Sequence, residues 1–154
     1  MDAKTIILGI SAAAAFIALY YNSLINKRKS TVELLLNQRN DDNLIKARKV
    51  VQELNKKEQL TDYAKDEHKG SDQRDSVLRV LNNYEFIATG MREGAFEIKI
   101  YKRMTYSQLC HDWKILKPFI MSLRANVNSA TAFQEFEWLA KKFQSSVLKV
   151  DNKH

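Results

Sequence analysis

The sequence predicts an all-α protein in which an N-terminal transmembrane helix leads into a small cytoplasmic helical bundle. Three observations carry this. From Thr5 to Asn26 no side chain is charged. Downstream, apolar residues recur at three- and four-residue intervals, the period of one face of an α-helix. Only four Gly and one Pro occur in 154 residues, too few to punctuate the closely spaced turns of a sandwich or barrel. With 45% hydrophobic residues the chain can build a core, and its single Cys excludes an internal disulfide framework. The chain divides into an anchor with its basic flank (1–29), an amphipathic helical segment with a linker (30–70) and a bundle (71–154).

The anchor is the run Ile6 to Ile25, interrupted only by Ser11, Asn22 and Ser23. As a helix it is roughly 30 Å long, the thickness of a bilayer's hydrocarbon core. Tyr20 and Tyr21 fall near one end, where aromatic rings favour the headgroups, and Lys27, Arg28 and Lys29 follow. A cleaved signal peptide fits less well, because the small residues Ala12 to Ala15 sit mid-run and the basic triplet opposes export. A core helix of a soluble domain is rarely apolar all round over such a length. The cations place residues 27–154 in the cytoplasm, by the positive-inside rule. The pairs Gly9 with Ala13, Ser11 with Ala15 and Ala14 with Ala18 would let two such helices approach closely, so a homo-oligomer through the membrane helix is one expected assembly.

Beyond the anchor, Ser30 to Glu33 matches a capping box, at which a short helix restarts unless the span simply continues. Asp41 or Asp42 caps the next helix, whose stripe is Leu44, Ala47, Val51 and Leu54. Asn55 to Lys69 is nearly all polar and reads as a solvated helix end and linker. A helix from near Asp72 carries Val77, Leu81, Tyr84 and Ala88 and stops at Gly90. Phe96 to Ile100 alternates like a strand but has no partner, so a short helix ending near Met104 is expected. Thr105 to Gln108 resembles a second capping box, opening a helix with Tyr106, Leu109, Trp113, Leu116, Ile120 and Leu123 on one side. Pro118 within it predicts a kink or break at Lys117. Thr131 to Gln134 opens the last helix, with Phe133, Phe136, Ala140, Phe143 and Val147 inward.

The segment Leu81 to Gly90, then Arg92 and Gly94, then Trp113 to Pro118 and Arg124, resembles a family of uncharacterised bacterial and prophage proteins defined as a domain of unknown function. Such proteins pair an N-terminal membrane helix with a short helical domain, and the likeness covers about residues 75–145. The resemblance implies a bacterial inner-membrane location and, from the prophage context, a host-interaction role such as superinfection exclusion. It carries no reaction, cofactor or binding residue over to this chain.

Chemistry is sparse. Cys110, His111 and Asp112 are consecutive, but neighbours on a helix point about 100° apart and do not converge on one atom. A structural zinc site takes four ligands, and besides Cys110 the chain has only His68, His111 and His154 to offer. No phosphate loop or nucleophile elbow occurs, so no enzyme, metal or cofactor is expected. Asp72 with Asp75, and Glu93 with Glu97, are spaced like carboxylate pairs, but first-turn charges complementing a helix dipole account for them better. The net charge of +7 is spread along the chain and partly explained by the membrane flank, which makes nucleic acid an unlikely partner. The best surface for it, or for anionic headgroups, is Arg48, Lys49, Lys56 and Lys57. The expected function is a membrane-anchored, non-enzymatic binding or adaptor protein that engages a protein partner, and the alternative is a tethered nucleic-acid-binding regulator. The candidate partner surface comprises the loop residues Met91, Arg92 and Glu93, and Trp138 with Leu139.

Overall fold

The computed structural model describes residues 2–148, and among them it contains five α-helices and no strand. His154 lies outside the described residues. Helix α1 (Ala3–Asn40) contains no proline, and its lone Gly9 is far from its lower half, so it runs unbroken through 38 residues. At 1.5 Å per residue it is about 57 Å long, nearly twice a bilayer core. The capping box at Ser30 therefore lies inside a continuing helix. Thr31, fully buried, donates its hydroxyl to the Lys27 carbonyl at 2.8 Å instead of opening a new turn. Leu35 enters the core one turn later.

A single residue separates α1 from α2 (Asp42–Lys56). Asp41 leaves the helical region at φ −83°, ψ 96°, and its carboxylate accepts the Asn43 and Leu44 amides at 3.0 Å each. Leu44, Ala47, Val51 and Leu54 are all buried, as their spacing predicts.

The stretch read as a solvated linker is instead part of the packed body. It contains two short 3₁₀ turns, Asp62–Ala64 and Asp66–His68, with Leu60 and Ala64 buried. Distant side chains satisfy its carbonyls: Arg74 donates to Ala64 O and Lys65 O, and Asn126 donates to Ala64 O at 3.1 Å. Two apolar residues are enough here because those donors replace water.

Helix α3 (Asp72–Arg92) starts on a Ser71 cap and passes through Gly90 rather than stopping there. A side chain at 90 would collide with the Phe96 ring, so Gly90 is required for close packing and not for termination. The chain turns at Gly94 instead, whose φ of +79° suits glycine. Helix α4 (Ile98–Asn126) is one continuous element of 29 residues, about 43 Å long, with neither an end near Met104 nor a restart at Thr105. Thr105 donates back to the Tyr101 carbonyl at 2.8 Å, as hydroxyls within helices do. Pro118 does not break it. Both Pro118 and Lys114, whose carbonyl the proline leaves without its helical donor, are on the exposed side of the helix.

Helix α5 (Gln134–Gln144) begins later than the Thr131 box predicts, after Phe133 in a left-handed conformation at φ 57°. Its amide donors are satisfied from another helix: the Glu85 carboxylate of α3 accepts Glu135 N–H at 3.2 Å and Phe136 N–H at 2.8 Å. Val147, predicted inward, lies past the helix end and is 68% exposed. One contiguous core runs from Leu35 to Phe143, centred on Tyr84 stacked on Phe136 at 4.4 Å with Trp113 edge-on at 5.2 Å.

Candidate functional site

The apolar segment of α1 stands outside this core. Leu8 is 71% exposed and Phe16 73%, and no residue in its most apolar stretch is buried. An apolar surface of this extent exceeds what soluble monomers leave in water. Among the described residues it is the one helix long and apolar enough to cross a membrane. Where it ends, Lys27 is half-buried while Arg28 and Lys29 are exposed.

The bundle packs against α1 just beyond this point. The Glu97 amide donates to the Thr31 hydroxyl at 2.7 Å, pinning the start of α4 against α1. Glu97 itself caps α4, its carboxylate accepting the Lys99 amide at 3.3 Å. An open cavity of about 460 Å³ between the two helices is lined by Leu24, Arg28, Glu97, Lys99 and Ile100. Beside it a cavity of about 380 Å³ is lined by Lys99, Ile100, Lys102, Arg103 and Leu148. Lys102 is committed internally, donating to Ser146 Oγ at 2.7 Å and lying over the Tyr106 and Phe143 rings. Lys99 and Arg103 are exposed. The basic triplet at the end of the apolar segment thus gains cations from a segment 70 residues later. Sequence reasoning missed them, because only the packing of α4 alongside α1 brings them there.

The predicted partner surface separates into two parts. Met91 is 3% exposed and Leu139 fully buried, so both belong to the core and neither can present itself to a partner. The signal was legible: Met91 extends the Val77, Leu81, Tyr84, Ala88 stripe by one more step, and Leu139 lies three residues from Phe136 and four from Phe143. Arg92 and Glu93 are exposed. Arg92 pairs with Glu135 at 2.6 Å and lies 4.9 Å over the Trp138 ring, while Lys142 lies 5.5 Å from the same ring. Trp138 is half-buried against the core. Glu93 ends α3, its amide donating to Thr89 O at 2.9 Å. Asp72 and Asp75 occupy the first turn of α3.

Inside the bundle, α2, α3 and α4 each contribute one member of a polar triad. Arg48 donates to Asp112 Oδ2 at 2.7 Å and to the Tyr84 hydroxyl at 3.0 Å, and that hydroxyl donates to the same Asp112 oxygen at 2.5 Å. Burial pushes the Tyr84 phenol well above its ordinary value, with the Asp112 charge adding to the effect. Burial works against the Arg48 charge, but the Tyr84 and Asp112 oxygens outweigh it and its pKa is raised. Each polar group is matched by another, so the triad holds three helices in register. It also turns Arg48 inward, removing it from the basic face it was expected to share with Lys49, Lys56 and Lys57. The consecutive Cys110, His111 and Asp112 diverge: the thiol is half-buried and raised by that burial, the imidazole is exposed, and the carboxylate faces Arg48.

The family model of DUF4760, a domain of unknown function, matches residues 5–143. Neither a curated protein nor a solved structure matches the chain.

Proposed function

The chain belongs to the DUF4760 family, and from that premise and the geometry above we propose that it is a single-pass protein of the bacterial inner membrane, whose helical bundle is a non-enzymatic binding module. The bundle stands in the cytoplasm against the bilayer and engages a protein partner there, in keeping with the host-interaction role that the likeness to prophage proteins suggests. One observation carries the reading. Helix α1 passes without a break from its exposed apolar segment into the core, where Thr31 and Leu35 are buried. No flexible linker separates span from bundle, so the same helix that anchors the chain also fixes the bundle's height and orientation. Orientation follows from the cations at the end of the span, Lys27, Arg28 and Lys29, now joined by Lys99 and Arg103. A binding role is favoured by the triad, whose reactive-looking groups neutralise one another.

Protease protection tests the topology. Added protease is expected to spare the bundle in spheroplasts and digest it in inverted membrane vesicles, and the opposite pattern would reverse the orientation. A photo-crosslinking residue at Glu93, adjacent to the exposed Arg92, tests the partner. A discrete adduct with another protein in intact membranes supports the adaptor role, and its absence at native expression counts against it.

A further inference from the structure

The cavity where α4 meets the end of the span has the right depth and lining for one class of ligand. Leu24 lies within the apolar run and Arg28 three residues past its end, about 4.5 Å further along the helix. The headgroup layer on each side of a bilayer is about 5–7 Å thick, so Arg28 reaches the level of the lipid phosphates. Lys99 lines the same cavity from the opposite helix. Among the described residues neither cation has a carboxylate within ion-pairing distance, because Glu97 turns its acceptor to the Lys99 amide and Glu33 pairs with Lys29 at 3.8 Å. Leu24, on the bilayer side, and Ile100 supply the apolar part of the lining.

We propose that this cavity seats the phosphate of an anionic phospholipid, held between the Arg28 guanidinium and the Lys99 ammonium, with its first acyl carbons against Leu24. The inference rests on the reading of α1 as a membrane span, since that places the cavity at phosphate depth. It differs from general attraction to a charged surface in requiring two helices to form one seat. Exposed cations elsewhere, such as Lys114, are far from the membrane end and do not share in it.

The test uses the full-length chain reconstituted in phosphatidylcholine vesicles with trace spin-labelled phosphatidylglycerol or spin-labelled phosphatidylcholine. The motionally restricted fraction of each label reports its association with the protein. Phosphatidylglycerol is expected to associate preferentially. Arg28→Gln and Lys99→Gln are each expected to reduce that preference about fivefold, as the loss of one cation near an anionic lipid predicts, while Lys114→Gln leaves it unchanged. Added inorganic phosphate is expected not to displace the lipid label, and displacement would assign the seat to a soluble anion. Equal association of both labels, or Gln variants with undiminished preference, overturns the proposal. Vesicle flotation separates the two levels: protein that floats without lipid preference refutes this seat alone, whereas protein that does not float refutes the membrane span as well.

Discussion

Asp112 shows how one residue joins distant parts of the chain. Its Oδ2 accepts from Arg48 on α2 and Tyr84 on α3, and a buried acceptor shared by two donors is costly to remove. Asp112→Ala leaves the Arg48 charge and the Tyr84 hydroxyl without their common acceptor. The expected loss is about 3 kcal/mol, measured as thermal unfolding of the full-length protein in detergent micelles by circular dichroism. Arg48→Met with Asp112→Leu removes both charges and should recover most of that loss. An Asp112→Ala variant as stable as the wild type would show that the pair contributes nothing, and a double variant no more stable than the single one would remove the orphaned Arg48 charge as the cause of the loss. Asp112 was visible in the sequence only as one of three consecutive reactive residues. Its role depends on which way each points, and helical rotation separates it from Cys110 and His111.

Among the elements, α5 depends most on its neighbours. It is 11 residues long, short for a helix to be stable alone, and its first turn is capped by Glu85 of α3 rather than by its own side chains. Glu85→Ala is expected to destabilise the bundle by about 1–2 kcal/mol, read from the same thermal transition, with Glu85→Gln intermediate because an amide oxygen still accepts. Glu137 adds a pH dependence. Hydrogen bonds from Lys141 and Arg124 hold its carboxyl below the ordinary value of 4.5, so their contribution is present above that pH. It is lost as the pH falls through the lower folded-state value, where the carboxylate becomes protonated. The unfolding temperature should therefore drop on acidification below about 4.5, and Glu137→Gln should make that drop shallower; an unchanged slope would remove Glu137 as its cause.

The elements also mark what the sequence could convey. The stripes of α2, α3 and α4 are legible because a buried helical face imposes its period on every turn. The joins are not. The start of α4 is set by contact with α1, through Thr31 and Glu97, two residues 66 positions apart. The stretch from Asn55 to Lys69 looks solvated because its partners, Arg74 and Asn126, are themselves polar and lie elsewhere in the chain. The cap of α5 was written in the sequence as Thr131, but a carboxylate fifty residues upstream took its place.

At the scale of the whole molecule, the geometry is that of a rigid stalk and head. Helix α1 supplies both the apolar segment and a contact to the core through Leu35, so the head is held by the helix that carries the apolar segment rather than tethered loosely to it. Of the site, the Lys27 to Lys29 flank was legible because it is contiguous. The contribution of Lys99 and Arg103 was not, since it arises from α4 starting against Thr31, six residues beyond the apolar run of α1. Whether that segment resides in lipid is tested most directly by alkaline carbonate extraction of membranes from cells making the full-length chain. The protein should stay in the membrane pellet and be released by detergent alone; intact, uncleaved protein in the carbonate supernatant would contradict it.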